Sequence, residues 1–327
     1  MFKKNIELLR CAVEQHAFLI PVEQHRDENG TINVAKFKKN WEQRMDPFER
    51  MPLWEVTPEW DNRDPLQREP YLVFIPAPAA QANGETILIA HGGGFEIRTG
   101  CEGPNAAWHF HQKGYHTAIL TYRLRPYSRL HAMADMQRAI RLLRAKRDEL
   151  GISGRITVMG FSAGGMLAAN CATHFDMGDV SAVDPVERQS CRPDAAVVAY
   201  GALTGVSFPL PFMMQRSAGD MYGETMQERL YLAPEKNIRW NSPPFFIWQT
   251  LSDDGRYGLN LAHALSDAQI PYELHIFEGA VHGVGIADGE NDLGMASPHV
   301  ARWTQLCDEW LGLHRQEQEE KEDKVER

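Results

Sequence analysis

The sequence predicts an α/β fold in which a mostly parallel central sheet is covered by helices on both faces. From residue 71 to residue 313, short apolar segments alternate with longer amphipathic segments. The apolar segments are bounded by glycine, proline or charged residues, which is typical of strands that are buried on both faces. Strand–helix alternation builds parallel sheets, because each helix carries the chain back to the start of the next strand.

The apolar segments have the length of buried strands, and the amphipathic segments between them have the length of helices. The predicted strands are residues 71–76, 86–90, 117–122, 155–160, 195–200, 244–250 and 272–277. The predicted helices are residues 105–113, 131–150, 163–174, 259–268 and 298–312.

The regions outside this alternation define the predicted domain organisation. Residues 1–69 are polar and interrupted by proline, and we predict an N-terminal extension that can form part of a cap. Residues 70–315 form the predicted core domain, with an insertion at 202–241 that is too long for a simple connection. Residues 316–327 are almost wholly charged or polar, which predicts a frayed helix end or a disordered tail.

Composition limits the kinds of partner. The chain has 327 residues and a net charge of -10, which disfavours nucleic acid and anionic membranes because both attract basic surfaces. We therefore expect a small-molecule partner, and a homo-oligomer stays open. None of the five cysteines forms a C-x-x-C pair, which predicts reduced thiols and a cytoplasmic location. No apolar run has the length of a signal peptide or of a membrane span.

A candidate nucleophile follows one of the predicted strands. The segment Gly160-Phe161-Ser162-Ala163-Gly164 joins strand 155–160 to helix 163–174. A serine in a G-x-S-x-G segment sits on a sharp strand-to-helix turn, where glycines avoid collisions with neighbouring elements. The helix that begins behind it favours negative charge. The alternative is a glycine-rich turn with an incidental serine.

A glycine-rich loop upstream supplies candidate donors for an oxyanion. His91-Gly92-Gly93-Gly94 follows strand 86–90 directly. Acyl transfer places negative charge on the former carbonyl oxygen, and backbone N–H groups aimed at that oxygen stabilise it. We predict the amides of Gly93, Gly94 and Ala163 as these donors and a structural role for His91. A phosphate loop is the alternative, but no Lys-Ser or Lys-Thr follows the glycines.

Candidates for the acid and the base follow the last two predicted strands. A serine nucleophile on such a sheet takes its acid from a late strand and its histidine from the loop after the last strand. His282, in a loop of small residues after strand 272–277, is the candidate base. Asp253 and Asp254 both follow strand 244–250, and Asp253 is favoured because it stands nearer the strand end. Glu278 is a weaker candidate because it is close in sequence to the base.

Together these segments resemble the α/β-hydrolase esterases of the hormone-sensitive-lipase type, and more closely the acetyl esterase and acetylxylan-esterase-like subgroup. The resemblance covers residues 70–313. It implies an α/β-hydrolase fold, the triad Ser162, Asp253 and His282, activity on short acyl esters such as acetylated sugars, and no cofactor or metal. The matching segments are His91 to Phe95, Tyr122 to Leu124, Gly160 to Gly165, Leu232 to Lys236, and Glu273 to Gly283.

Aromatic side chains near these motifs predict the lining of a substrate pocket. Phe95, Phe161 and Trp248 are the candidate substrate-binding residues, and the insertion adds Phe208, Phe212, Met213 and Met214. Two other functions use the same scaffold. An amidase, formamidase or peptidase would keep the triad and cleave an amide, whereas a non-catalytic ligand receptor would lack a triad member.

Overall fold

The computed structural model describes residues 2–209 and 218–325. Within these residues eight strands form one sheet. The strands are β1 (Met51–Pro52), β2 (Tyr71–Ile75), β3 (Thr86–Ala90), β4 (His116–Thr121), β5 (Ile156–Phe161), β6 (Ala195–Ala199), β7 (Phe245–Thr250) and β8 (Tyr272–Phe277).

The sheet is parallel except at one edge. Its strand order is β1-β2-β4-β3-β5-β6-β7-β8, and all pairs from β4 to β8 are parallel. The pairs β1–β2 and β2–β4 are antiparallel. Strands β2 to β7 are buried along their whole length, as their continuous apolar sequence predicts. The predicted α/β-hydrolase architecture with a mostly parallel sheet is therefore confirmed.

Helices cover both faces of the sheet. Those in the described residues are α1 (Lys3–Glu14), α2 (Val34–Met45), α3 (Ala106–His111), α4 (Arg129–Ala145), α5 (Arg147–Leu150), α6 (Ala163–Thr173), α7 (Ala218–Tyr222), α8 (Met226–Leu232), α9 (Arg256–Asp267), α10 (Pro298–Ala301) and α11 (Trp303–Val325).

Alternate residues of each strand belong to opposite hydrophobic clusters, as the period of two requires. Leu72 and Phe74 join a cluster with α4, α6 and α9, which we call the α6 face. Tyr71 and Val73 join a cluster with α1, α2, α3 and α11, which we call the α11 face.

Two predicted helices are divided in the structure. The segment 131–150 forms α4 and α5, because the backbone leaves the helical region at Lys146. The segment 298–312 forms α10 and the start of α11. The edge strand β1 was not predicted, because it lies in the N-terminal segment that proline residues interrupt. Pro52 is tolerated there because an edge strand leaves one row of backbone groups unpaired.

The N-terminal segment contacts the core directly. Asn5 donates from Nδ2 to the carbonyl of Phe74 at 3.0 Å, which ties α1 to β2. Trp41 of α2 is buried, and its Nε1 donates to Thr121 Oγ1 at 3.1 Å. The boundary at residue 69 stays a prediction. Of the predicted insertion, Phe212, Met213 and Met214 lie outside the described residues.

The state of the cysteines and the character of the helices bear on the expected reduced thiols and on the expected lack of a membrane span. All five cysteines are free thiols, and four of them are buried. None of the helices in the described part of the chain combines the length and apolar character that crossing a membrane requires.

Candidate active site

Ser162 occupies the turn between β5 and α6 with a strained backbone. Its φ of 53° and ψ of -115° lie where non-glycine residues are rare. A Cβ on Gly160 would lie 1.9 Å from the Gly164 carbonyl oxygen, and one on Gly164 would lie 2.1 Å from the Ala90 carbonyl oxygen. Both glycines of the motif are therefore required by close backbone contacts.

A chain of hydrogen bonds links the three predicted triad residues. Ser162 Oγ lies 2.8 Å from His282 Nε2, and His282 Nδ1 lies 2.5 Å from Asp253 Oδ1. The Asp253 carboxylate is buried, and its Oδ2 accepts from Thr250 Oγ1 at 2.7 Å. Asp254 instead has a left-handed backbone and pairs with Arg256. Of the two aspartates, the structure brings only Asp253 to His282.

The surroundings of His282 favour its protonated form. Burial opposes protonation, but the hydrogen bond and charge of Asp253, together with the charge of Glu102, outweigh it and raise the pKa of His282. The ring is nevertheless open on one side, with 52% of the side chain exposed. An imidazole that is held by a carboxylate and open to a ligand can accept and return a proton.

The glycine loop leaves backbone donors beside Ser162. Gly93 and Gly94 have φ values of 113° and 61°, which glycine adopts without strain. No described group accepts a hydrogen bond from the amides of Gly93, Gly94 or Ala163. His91 is fully buried and stacks on Tyr122 with ring centroids 4.4 Å apart, so its ring braces the loop.

Glu102 and Tyr200 belong to the site, although the sequence analysis missed both. Glu102 is buried and accepts from the Gly92 amide at 3.1 Å, from the Tyr200 hydroxyl at 2.7 Å and from Thr99 Oγ1. The Tyr200 hydroxyl in turn accepts from the Gly285 amide at 3.0 Å. One carboxylate therefore joins the glycine loop to the loop that carries His282.

A cavity of about 400 Å³ opens above Ser162 and His282. One part of its wall is apolar, whereas the part formed by the N-terminal segment and the loop after His282 also carries polar groups. The apolar lining includes Ile32, Phe37, Met166, Ala202 and Met221, and the polar lining includes His25, Glu96, Glu102 and Asp292.

The predicted aromatic lining is corrected by the structure. Trp248 and Phe161 are fully buried and pack against Trp303, on the α11 face. Phe95 is 2% exposed and packs against Tyr122. None of Phe95, Phe161 and Trp248 lines the cavity. Successive side chains along a strand point to opposite sides of the sheet. The side chains of Phe95, Phe161 and Trp248 pack in the core and do not face the cavity.

Metal-ligating groups are not gathered in the described part of the chain. Within residues 2–209 and 218–325, no three His, Cys, Asp or Glu side chains are grouped so that they could hold a metal ion.

Known proteins share the fold and parts of the sequence. Endo-1,4-beta-xylanase B of Butyrivibrio fibrisolvens is 31% identical over 215 residues, which are 63% of this chain and 33% of that protein. The chain thus spans about a third of the length of this curated relative.

Two solved structures extend the comparison. An acetyl ester-xyloside bifunctional hydrolase from Caldicellulosiruptor lactoaceticus is 34% identical with a TM-score of 0.71, over 81% of this chain and 95% of that one. A thermophilic esterase from Thermogutta terrifontis, solved with butyrate bound, is 24% identical with a TM-score of 0.63, over 82% of this chain and 94% of that one. The second likeness supports the fold alone.

The BD-FAE family model matches residues 73–255, which run from within β2 to just after β7 and include the glycine loop, Ser162 and Asp253. This match covers more than half of the chain. The chain therefore belongs to the BD-FAE family of α/β hydrolases.

Proposed function

We propose that this protein is a serine carboxylesterase that hydrolyses short-chain esters, most of all acetyl esters, through an acyl-enzyme. The observation that carries the proposal is the continuous hydrogen-bonded chain from Ser162 through His282 to Asp253 at the floor of the cavity. Three unpaired amides beside the serine supply what a developing oxyanion needs.

The proposed reaction has two halves. Ser162 Oγ attacks the ester carbonyl while His282 Nε2 takes the hydroxyl proton, and Asp253 stabilises the imidazolium that results. The former carbonyl oxygen becomes an oxyanion, which accepts hydrogen bonds from Gly93, Gly94 and Ala163. When the intermediate collapses, the C–O bond to the alcohol breaks and His282 returns the proton to the leaving oxygen. Water then attacks the acyl-enzyme by the same route and releases the carboxylic acid.

Cavity size and surface support a short acyl group. Met166, Ala202 and Met221 form an apolar wall next to the serine, which suits a hydrocarbon group. A volume of about 400 Å³ must hold both halves of the ester, which leaves little room for a long chain. Among the relatives, the Caldicellulosiruptor protein is described as an acetyl ester-xyloside hydrolase, which supports acetylated sugars as substrates.

Hydrolysis of nitrophenyl acetate, butyrate and octanoate by wild type and Ser162→Ala tests the proposal. We expect acetate to be the best substrate and Ser162→Ala to lower kcat by roughly 10⁵- to 10⁶-fold, as loss of a serine nucleophile does elsewhere. Equal rates in the two proteins would contradict the assignment of Ser162. A preference for octanoate would contradict the short acyl group, and faster cleavage of acetyl nitroanilide would favour the amidase alternative.

A further inference from the structure

Two polar side chains of the cavity wall bind the backbone of the same residue, Ile20. The Ile20 amide donates to Asp292 Oδ1 at 2.6 Å, and the Ile20 carbonyl lies 2.9 Å from His25 Nε2. Asp292 is 6% exposed, and both side chains line the cavity. Asp292 and His25 are therefore both anchored to Ile20, at the boundary between the N-terminal segment and the loop after His282.

The atoms left over on these two side chains are hydrogen-bond acceptors. Asp292 Oδ2 has no donor among the described residues. A carbonyl only accepts, so His25 Nε2 carries the proton of its bond to Ile20, and Nδ1 accepts a hydrogen bond when the ring carries no second proton. A ligand that satisfies both atoms must therefore supply hydrogen-bond donors.

This pair lies on the side of the cavity where the alcohol of an ester must stand. The leaving oxygen takes its proton from His282 Nε2, so the alcohol lies next to the His282 loop. Val284 and Ile286 of that loop pack on the α11 face, and Asn291, the neighbour of Asp292, donates from Nδ2 to the Val284 carbonyl at 3.5 Å. Met166 and Ala202 lie against the α6 face, on the opposite side of the sheet.

We propose that Asp292 and His25 form the subsite for the alcohol part of the ester, and that this alcohol is a neutral, polyhydroxylated group such as a sugar. Its hydroxyls donate to Asp292 and His25. Phe37, whose ring centroid is 5.3 Å from that of His25, offers an apolar surface to the C–H face of the sugar. This inference rests on the proposed esterase function and assigns the residues that recognise the alcohol part of its substrate.

The charged residues around the cavity favour a neutral alcohol over an anionic or a cationic one. Neither lysine nor arginine occurs among the described lining residues, which disfavours anionic alcohols. A cation would need free carboxylates. Glu102 already accepts from three donors, and Glu96 lies 3.8 Å from Arg125. Among the described residues, Asp292 offers one oxygen without a donor, which suits a hydroxyl donor better than an ammonium group.

Binding to an inactive protein tests the subsite without turnover. Acetylated xylobiose is titrated calorimetrically into Ser162→Ala, and then into the same variant carrying Asp292→Asn. Asparagine keeps an oxygen for the Ile20 amide but loses the charge, so we expect Kd to rise by roughly tenfold or more, as loss of a hydrogen bond to a charged group does. Glu290→Gln is the matched control, because Glu290 lies on the same loop and pairs with His16 outside the cavity.

The possible outcomes distinguish failure of the subsite proposal from failure of the proposed esterase function. Equal Kd values for the Asp292→Asn and Glu290→Gln double variants, or no binding to Ser162→Ala, would overturn the subsite. Tighter binding of acetylcholine than of acetylated xylobiose would replace the sugar with a cation. If Asp292→Asn does not fold, as thermal melting shows, His25→Leu takes its place with the same expected loss. Failure of the esterase function would appear elsewhere, as unchanged nitrophenyl acetate hydrolysis in Ser162→Ala.

Discussion

The nucleophile side of the candidate active site, which comprises Ser162 and the glycine loop, lies at the ends of adjacent parallel strands. The alcohol side, which comprises Asp292, His25 and Phe37, is assembled from segments far apart in the chain. Gly93 and Ser162 follow β3 and β5, which are neighbours in the sheet. The contact between Ile20 and Asp292 joins residues 272 positions apart. The two sides therefore differ in how strongly the fold determines them.

Close packing fixes the nucleophile side. A Cβ on Gly92 would lie 2.2 Å from Glu102 Oε2, and the glycines around Ser162 are equally enclosed by backbone. The alcohol side combines loop residues with Phe37 of α2 and is partly open to solvent; Ile32 in its wall is 45% exposed. The comparison indicates that the chemistry is determined by the sheet and the specificity by the loops.

The largest effect that would test this comparison concerns the triad acid. We expect Asp253→Asn to lower kcat by roughly 10⁴-fold, because an amide stabilises the wrong tautomer of His282 and cannot stabilise the imidazolium. Asp254→Asn is the matched control, since Asp254 pairs with Arg256 rather than with His282. Kinetics with nitrophenyl acetate measure both. Equal losses in the two variants would contradict the assignment of Asp253.

A smaller loss is expected from the carboxylate that joins the two catalytic loops. In Glu102→Gln one oxygen becomes an NH₂ group, so Gly92 or Tyr200 loses its acceptor. We expect kcat to fall by roughly 10- to 100-fold, as loss of a charge-assisted hydrogen bond does, with little change in KM. Glu96→Gln, which lines the same cavity half-buried, is the control and should stay close to wild type.

The pH profile of Glu102→Gln distinguishes an electrostatic role from a structural one. The charged groups facing His282 are Asp253 and Glu102, and the Tyr200 ring packs beside it. Both carboxylates raise the pKa of His282, so removing the charge of Glu102 should move the acid limb of kcat/KM to lower pH. An unmoved acid limb with reduced kcat would assign Glu102 to loop geometry alone.

Sequence reasoning succeeds where a residue belongs to a local motif or follows the expected order of strands along the chain, and fails where side chains from distant segments meet without either signal. The G-x-S-x-G turn and the glycine loop have local steric causes, so their positions could be predicted. Glu102 stands in a π-helical turn, Cys101–Asn105, that carries no motif; its one signal is a carboxylate soon after the glycine loop. Phe161 and Trp248 were assigned to the pocket because proximity in sequence does not reveal on which face a strand-end side chain lies.

The alcohol side offers the smallest and most selective effect, a pH dependence of sugar binding. Burial, assisted by the charge of Glu102, raises the pKa of Asp292 to about 6, against the opposing influences of the Ile20 amide and His25. Cys101, the other titratable neighbour, is a buried thiol whose raised pKa keeps it neutral. Below the pKa of Asp292 its carboxyl is protonated and accepts hydroxyl donors more weakly.

We therefore expect the Kd of acetylated xylobiose for Ser162→Ala to rise by about threefold to tenfold as pH falls from about 8 to about 5, since a charge-assisted hydrogen bond becomes a neutral one. The same titration with Asp292→Asn added should show a clearly smaller pH dependence, because an amide does not ionise in this range. Adding His25→Leu instead should keep the pH dependence at a weaker overall affinity. If the dependence survived Asp292→Asn but disappeared with His25→Leu, the titrating group would be His25, and the sugar subsite would depend on the N-terminal segment alone.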